Sequence, residues 1–173
     1  RAARFVCSVA IASPEGEIVF EGEGACKRRI SHKPLGINGL GRIGKLSIWH
    51  HVGQKNFSEI VVNVGRSVGT GLDAIAGYIE KDSTYGAIHS YLYGFKSGRL
   101  IENLDEKAGS MVIDGVPVRI LREARNPKDI PWGSHGVGVV IEATGQFLDP
   151  TLQPGDGVAC ARGHLESGAE KLI

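Results

Sequence analysis

Apolar and polar residues alternate along the start of the chain in two runs, residues 3–12 and 17–24. The residues between these runs include Pro14 and Gly16, which are typical of a turn. This pattern predicts a β-hairpin, followed by a polar connector. We therefore expect residues 1–33 to form a hairpin segment and linker that precede the main domain.

From Pro34 onward, short apolar runs alternate with segments of helical spacing. Continuous β-branched runs predict buried strands, and apolar residues three or four positions apart predict helices. The predicted strands cover 35–38, 59–64 and 136–143 with another from Lys171, and the predicted helices cover 42–52, 71–79 and 161–167. Within 110–121, the pair Asp114-Gly115 predicts a hairpin turn. Residues 34–173 are thus expected to form an α/β domain with a doubly wound, mostly parallel sheet and an antiparallel excursion. In the first helix, Ile43, Leu46 and His50 share one face.

Composition narrows the classes of function. The formal net charge is +1, from 20 basic and 19 acidic side chains. So small a charge creates no positive electrostatic potential that would attract nucleic acid or an anionic membrane. No apolar stretch reaches the roughly 18 residues that a membrane span needs. Three cysteines without C-x-x-C spacing indicate neither a disulfide framework nor a zinc site. We expect a cytoplasmic protein that binds neither nucleic acid nor membrane and holds no metal.

Three glycines follow the first predicted strand with the spacing G-x-G-x-x-G and lead into a helix. Gly39 would make the tight turn, Gly41 would let the backbone approach a pyrophosphate, and Gly44 would let helix and strand pack closely. The helix N-terminus offers unpaired N–H groups and about half a positive charge to the phosphates. The motif therefore predicts dinucleotide binding.

The whole string Gly-Ile-Asn-Gly-Leu-Gly-Arg-Ile-Gly, residues 36–44, resembles the cofactor turn of the glyceraldehyde-3-phosphate dehydrogenase family. Residues 81–86, 123–127, 130–133, 142–147 and 162–171 resemble further segments of that family, in the same order. The resemblance covers about four fifths of the chain, from Lys33 to Ile173. It implies a Rossmann-type domain that binds NAD and belongs to an oxidoreductase of glycolysis.

The resemblance also implies which residues contact the cofactor. Those holding the pyrophosphate and the nearby ribose would be Asn38, Gly39, Gly41, Arg42, Ile43 and Gly44. Arg125 would lie near the adenine, and Thr144 and Gly145 near the ribose and nicotinamide.

One departure from the family concerns cofactor choice. A carboxylate is expected about 20 residues past the glycine turn, where it binds the adenosine ribose hydroxyls. This chain has Val64 there, followed by Gly65 and Arg66. Loss of the carboxylate removes repulsion against a 2′-phosphate, and Arg66 offers a counter-charge, so NADP stays open beside NAD. Alternatively, Asp73 or water replaces the carboxylate.

A second departure concerns catalysis. The family's nucleophilic cysteine lies in an S-C-T-T-N element, and its histidine base lies further along; neither element occurs in these residues. We expect a fragment that ends before the catalytic domain, has no catalytic residue and is inactive alone, because acyl transfer needs a thiolate and a base at one carbon. The face left by that domain would permit association with a second copy or with a partner that supplies the catalytic half.

Two local pairs suggest other chemistry only weakly. Cys160 and His164 are four residues apart, which would place them on one helix face as a reactive pair, but the sequence shows no third group to orient the imidazole. The adjacent His50 and His51 would point about 100° apart on a helix, so a metal role is disfavoured.

The first 30 residues resemble a different family. Residues 1–7, 14–17 and 20–24 are similar to a β-hairpin of the inosine-triphosphate pyrophosphatases, which cleave non-standard purine triphosphates with magnesium. That family's phosphate-binding S-x-N-x-x-K element and metal carboxylates have no counterpart here. Two alternatives therefore stand beside the dehydrogenase reading: a pyrophosphatase fragment, and a non-enzymatic fusion product.

Overall fold

The computed structural model describes residues 33–65, 71–94, 98–122, 124–147, 149, 151–152 and 159–173. The predicted N-terminal hairpin and Arg66 lie outside these residues.

Strands and helices alternate through most of the described chain. The strands are β1 Leu35–Asn38, β2 Ile60–Asn63, β3 Lys81–Asp82, β4 Gly86–Ala87, β5 Ile101–Asp105, β6 Ser110–Ile113, β7 Val116–Leu121, β8 Val139–Glu142 and β9 Lys171–Leu172. The α-helices are α1 Arg42–Gln54, α2 Leu72–Glu80, α3 Ile88–Tyr93 and α4 Gly163–Glu166. Two 3-10 turns cover Pro127–Asp129 and Gly133–His135.

Seven of these strands form one sheet in the order β5-β6-β7-β2-β1-β8-β9. The pairs from β7 to β9 are parallel, and β5, β6 and β7 pair in antiparallel fashion. Strands β3 and β4 make a separate small hairpin. The predicted α/β fold is confirmed: a Rossmann-type, mostly parallel sheet with an antiparallel excursion.

Side chains from the two faces of the sheet enter two different apolar clusters. Ile60 and Val62 join the larger cluster with residues of α1, α2 and α3, whereas Val61 joins a smaller one around Trp132 and Val140. This alternation is expected for a strand that is buried on both faces. The central strands are therefore fixed from both sides, which holds their carboxyl ends in register.

Helix α1 does not pack through the face that Ile43, Leu46 and His50 share. Its buried residues are Gly44, Lys45, Ile48, Trp49 and Val52, while the Ile43 side chain is 61% exposed. Lys45 lies on the buried face because its Nζ donates to the Lys81 carbonyl at 2.6 Å and lies 3.3 Å from an Asp82 carboxylate oxygen. A pattern read from apolar residues alone misses a face that contains a paired lysine.

Candidate functional site

Three polar side chains end neighbouring strands at the centre of the sheet. Asn38 of β1 is in register with Asn63 of β2 on one side and with Glu142 of β8 on the other. The strand order reverses at β1, because the next strand in the chain, β2, pairs on one side of β1 and the later strand β8 pairs on the other side. Ligands of open α/β sheets bind beyond the carboxyl ends of strands at such a switch point.

The glycine turn connects the end of β1 to α1. Gly39 has φ +97°, a conformation that L side chains rarely adopt, and its N–H donates to the Asn63 carbonyl at 2.9 Å. A Cβ on Gly44 would lie 2.0 Å from the Gly39 carbonyl oxygen, so only glycine permits this approach of turn and helix. A Cβ on Gly41 would meet no atom of the described residues within 4 Å. The turn thus constrains Gly39 and Gly44 for the fold and leaves open space above Gly41.

The N-terminus of α1 adjoins that open space. Among the residues that the structure describes, no side chain caps this end, and the first turn of the helix contains no acidic residue. The first N–H groups of a helix lack intrahelical partners, and together with the helix dipole they attract an anion. An open cradle above glycine beside an uncapped 13-residue helix fits a pyrophosphate.

The segment after β8 forms the opposite wall of the site. A Cβ on Gly39 would lie 2.8 Å from the Thr144 methyl carbon, so the glycine turn and Thr144 touch. The Ala143 N–H also donates to the Asn38 carbonyl at 2.8 Å. Gly145 follows with φ +69° and is exposed. Thr144 and Gly145 are therefore brought next to the glycine turn.

Arg125 lies at the end of β2, on the side where the resemblance implies the adenine. It is exposed, and a Cβ on Gly65 would lie 3.6 Å from its side chain. Val64, which replaces the expected carboxylate, is only 4% exposed and joins the larger apolar cluster. This end of the site therefore presents an arginine and no carboxylate at residue 64.

A buried hydrogen-bond network lies beneath the Thr144 wall, and its centre is the Glu142 carboxylate. Oε2 accepts from Asn38 Nδ2 at 2.7 Å and is 2.9 Å from His164 Nε2. Oε1 accepts from the Thr144 backbone N–H at 2.7 Å and also from the Thr144 hydroxyl. Burial raises the pKa of Glu142, but these hydrogen bonds together outweigh burial and lower the pKa below its ordinary value. Glu142 is therefore a charged, fully engaged acceptor.

His164 receives its orientation from two sides. Trp132 Nε1 donates to His164 Nδ1 at 2.8 Å, and both side chains are fully buried. An indole N–H only donates, so Nδ1 carries no proton and the proton of a neutral imidazole is on Nε2, facing Glu142. The prediction that no third group orients His164 is therefore wrong.

The suggested Cys160–His164 pair also fails on helical geometry. Helix α4 begins at Gly163, so Cys160 precedes it and the argument from four-residue spacing does not apply. Cys160 is buried, and both nitrogens of His164 have other partners. This arrangement does not support a reactive thiol.

The side chains of Asn38 and Arg42 are directed away from the proposed cofactor position and toward other parts of the protein. The Asn38 side chain is 2% exposed; its Oδ1 accepts from Asn63 Nδ2 at 2.9 Å and its Nδ2 donates to Glu142. The Arg42 side chain points toward Asp82, with 3.8 Å between Nε and Oδ1, and borders a cavity of about 460 Å³ between α1 and α2. The backbone of Arg42 begins α1 directly after the glycine turn, while its side chain is directed toward Asp82.

Within the ranges given above, no group of three His, Cys, Asp or Glu side chains is arranged to hold a metal ion. Across the same part of the chain, no helix is long and apolar enough to cross a membrane.

The residues that sequence reasoning missed are the supports of the site. Asn63, Trp132 and the pairing of Glu142 with His164 gave no local signal. The hydrogen-bonded pairs Asn38–Asn63, Trp132–His164 and Glu142–His164 are 25, 32 and 22 positions apart in the chain and meet only through the sheet order. The one available signal was that Asn38 ends a predicted strand and that Asn63 and Glu142 each lie one residue before the end of a predicted strand. Parallel strands place such residues at one edge.

Comparison with known proteins agrees with this geometry. Residues 33–150 match the family described as glyceraldehyde 3-phosphate dehydrogenase, NAD binding domain. Relatives named glyceraldehyde-3-phosphate dehydrogenase include one from Yarrowia lipolytica, 31% identical over 139 residues, which cover 80% of this chain and 34% of the relative. A second from Agaricus bisporus is 32% identical with the same coverage, and a glycosomal one from Crithidia fasciculata is 31% identical over 141 residues, 36% of its length. The chain thus spans about a third of the length of the curated relatives it matches.

Proposed function

This chain belongs to the family of glyceraldehyde 3-phosphate dehydrogenase NAD-binding domains, and we propose that it binds NAD beyond the carboxyl ends of β1, β2 and β8. The pyrophosphate would lie above Gly41, on the N–H groups of Arg42, Ile43 and Gly44. The observation that carries this placement is the open space over Gly41 beside an uncapped helix N-terminus. Backbone N–H groups need no particular side chain, which suits a phosphate held by the helix dipole.

The remaining contacts are proposed for the two ends of the dinucleotide. Arg125 would lie along the adenine, and Thr144 with Gly145 would face the ribose and nicotinamide. Asn38 and Gly39 would shape the turn from below, since the Asn38 side chain is engaged within the protein. When bound, NAD supplies a hydride acceptor at its nicotinamide ring.

A titration with NAD tests this placement. We expect binding in the high micromolar range, and Gly41→Val should abolish it, because its side chain would occupy the space of the pyrophosphate. The matched control is Gly98→Val, where a Cβ also meets nothing within 4 Å but which lies in another loop. Equal affinity of wild type and Gly41→Val in calorimetry would reject the assignment of the turn.

We further propose that this chain discriminates only weakly between NAD and NADP. Val64 provides no carboxylate to repel a 2′-phosphate, and the exposed Arg125 adds positive charge near the end of β2. Arg125→Glu should weaken NADP more than NAD by at least about tenfold, roughly 1.4 kcal/mol, with Arg122→Glu as the control at another exposed arginine. A wild-type preference for NAD of more than a hundredfold would contradict the proposal.

The dehydrogenase activity named for the relatives is proposed for a protein in which this domain is joined to a catalytic half. The chain alone should not oxidise glyceraldehyde 3-phosphate, because its sequence has no S-C-T-T-N nucleophile element. NADH formation followed by absorbance tests this, and any formation by the wild-type chain would contradict it. Loss of that formation in Cys160→Ser would assign it to Cys160.

Self-association and a cytoplasmic location complete the proposal. We propose that the domain associates with a second copy of itself or with a partner that supplies a catalytic half. Light scattering over a range of concentrations tests association, and cell fractionation tests the compartment.

A further inference from the structure

The Thr144 wall of the site depends on one buried carboxylate. Four donors converge on Glu142, namely the Asn38 amide, the His164 ring, the Thr144 N–H and the Thr144 hydroxyl. An ionised carboxylate only accepts, so it satisfies all four, whereas a neutral amide or acid does not. Glu142 therefore fixes residues on both sides of the glycine turn at once.

His164 sets the direction in which this carboxylate points. Its Nε2–H faces Glu142 because the Trp132 indole donates to the other ring nitrogen. The His164 and Trp132 side chains are both 0% exposed, so neither hydrogen bond exchanges readily with water. The chain Trp132–His164–Glu142–Thr144 thus runs from the buried side of the sheet to the edge of the site.

This series of hydrogen bonds fixes the direction in which the Thr144 hydroxyl donates. Its proton is committed to Glu142, and its oxygen accepts from the Gln146 N–H at 3.1 Å. The hydroxyl therefore presents the site with a lone pair and not with a donor. A ligand hydroxyl or amide N–H on the nicotinamide side would match it.

We propose that Glu142 and His164 are positioning residues of the cofactor site, which hold Thr144 as a hydrogen-bond acceptor for the nicotinamide half of the dinucleotide. This inference rests on the function proposed above. It predicts a selective effect: loss of the chain weakens ligands that have a nicotinamide half and spares those that bind through adenosine and phosphates.

The test compares NAD with ADP on three variants. His164→Phe keeps the ring volume and removes both hydrogen bonds, so we expect NAD to weaken at least tenfold and ADP less than threefold. His164→Gln has an amide N–H at the position of Nε2 and should restore NAD affinity to within threefold of wild type. His50→Phe, at an exposed histidine of α1, is the control and should change neither ligand more than twofold.

The outcomes separate this inference from the proposed function. Wild type that binds neither NAD nor ADP would reject the proposed function. Wild type that binds both, with His164→Phe unchanged or with both ligands weakened equally, would overturn the positioning role alone.

A measurement on wild type covers the case in which His164→Phe does not fold. The Trp132 indole N–H resonance, identified by its persistence in Trp49→Phe, should shift on addition of NAD and stay in place with ADP. An indole resonance that ignores saturating NAD would overturn the inference.

Discussion

The two walls of the site are built by different means. The glycine turn is a backbone structure, in which Gly39 and Gly44 approach each other because neither has a side chain. The Thr144 wall is a side-chain structure, in which Glu142 is held by Asn38 and His164. The glycine turn is determined by six consecutive residues, 39–44, whereas the Thr144 wall depends on residues from both ends of the domain.

This difference determines how each wall fails. Adding one carbon at Gly44 would collide with backbone, which has no alternative rotamer. Replacing Glu142 leaves the backbone in place, but the buried donors then lack an acceptor. Each donor without an acceptor typically lowers the free energy of unfolding by about 1–3 kcal/mol. The backbone wall should therefore be the less tolerant of the two.

The largest effect is expected at Gly44. Gly44→Ala should lower the free energy of unfolding by at least about 3 kcal/mol, since overpacking against fixed backbone exceeds the usual cost in a core. The control is Gly77→Ala in α2, where a Cβ meets nothing within 4 Å and alanine should stabilise the helix by about 0.5–1 kcal/mol. Urea unfolding of both variants measures the contrast, and a Gly44→Ala protein as stable as wild type would remove the distinction between the walls.

The next effect is expected at Glu142. Glu142→Gln should cost about 2 kcal/mol at neutral pH, because its amide would face donors. The folded protein holds the pKa of Glu142 below its ordinary value of 4.5, so the unfolded chain binds the proton more readily. The stabilisation is therefore complete above about pH 5 and is lost as the pH falls through 4.5 and below.

Unfolding experiments between pH 7 and pH 3 test this dependence. Wild type should lose more stability over the acid range than Glu142→Gln does, and Glu166→Gln, at an exposed position of α4, should follow wild type. Parallel pH curves for wild type and Glu142→Gln would show that the carboxylate is not engaged as described.

The smallest effect is expected at His51, whose titration is a second source of pH-dependent stability beside that of Glu142. Burial, with a further contribution from His50, lowers the pKa of His51 from 6.5 to about 4, and its Nδ1 is buried without a partner in the described part of the chain. The unfolded chain takes up this proton first, so stability should fall as the pH drops from 6.5 to 4. Solvent screening at a partly exposed ring limits the loss to about 1–2 kcal/mol.

His51→Phe should flatten this part of the curve, because phenylalanine can pack against Phe57 without titrating. His50→Gln should leave most of it. If His51→Phe and wild type lose stability equally between pH 6.5 and 4, the slope arises elsewhere.

The same contrast explains what the sequence could predict. The parallel strands, α2 and the Asp114-Gly115 hairpin follow local patterns, and the structure confirms them. The glycine turn could be predicted from the sequence, because its backbone geometry requires glycines at a fixed spacing. The buried face of α1 was not, because Lys45 is buried only through partners supplied by Lys81 and Asp82.

The supports of the Thr144 wall were beyond local reasoning for a similar reason. His164 belongs to a four-residue helix, and its role depends on Trp132 and Glu142, which the sheet order brings to it. A side chain whose function is set by partners elsewhere in the chain leaves no periodic mark. Strand order, which pairs β8 with β1, is the information that was needed.

The placement of the two tryptophans gives each layer of the molecule its own optical reporter. Trp49 is buried in the cluster beneath α1, where its indole donates to the Ile79 carbonyl, and Trp132 is buried in the cluster on the opposite face, where its indole donates to an imidazole. These are the only two tryptophans in the chain. Replacing either one by phenylalanine leaves a single tryptophan, so indole fluorescence can follow the two faces of one sheet separately as the protein unfolds.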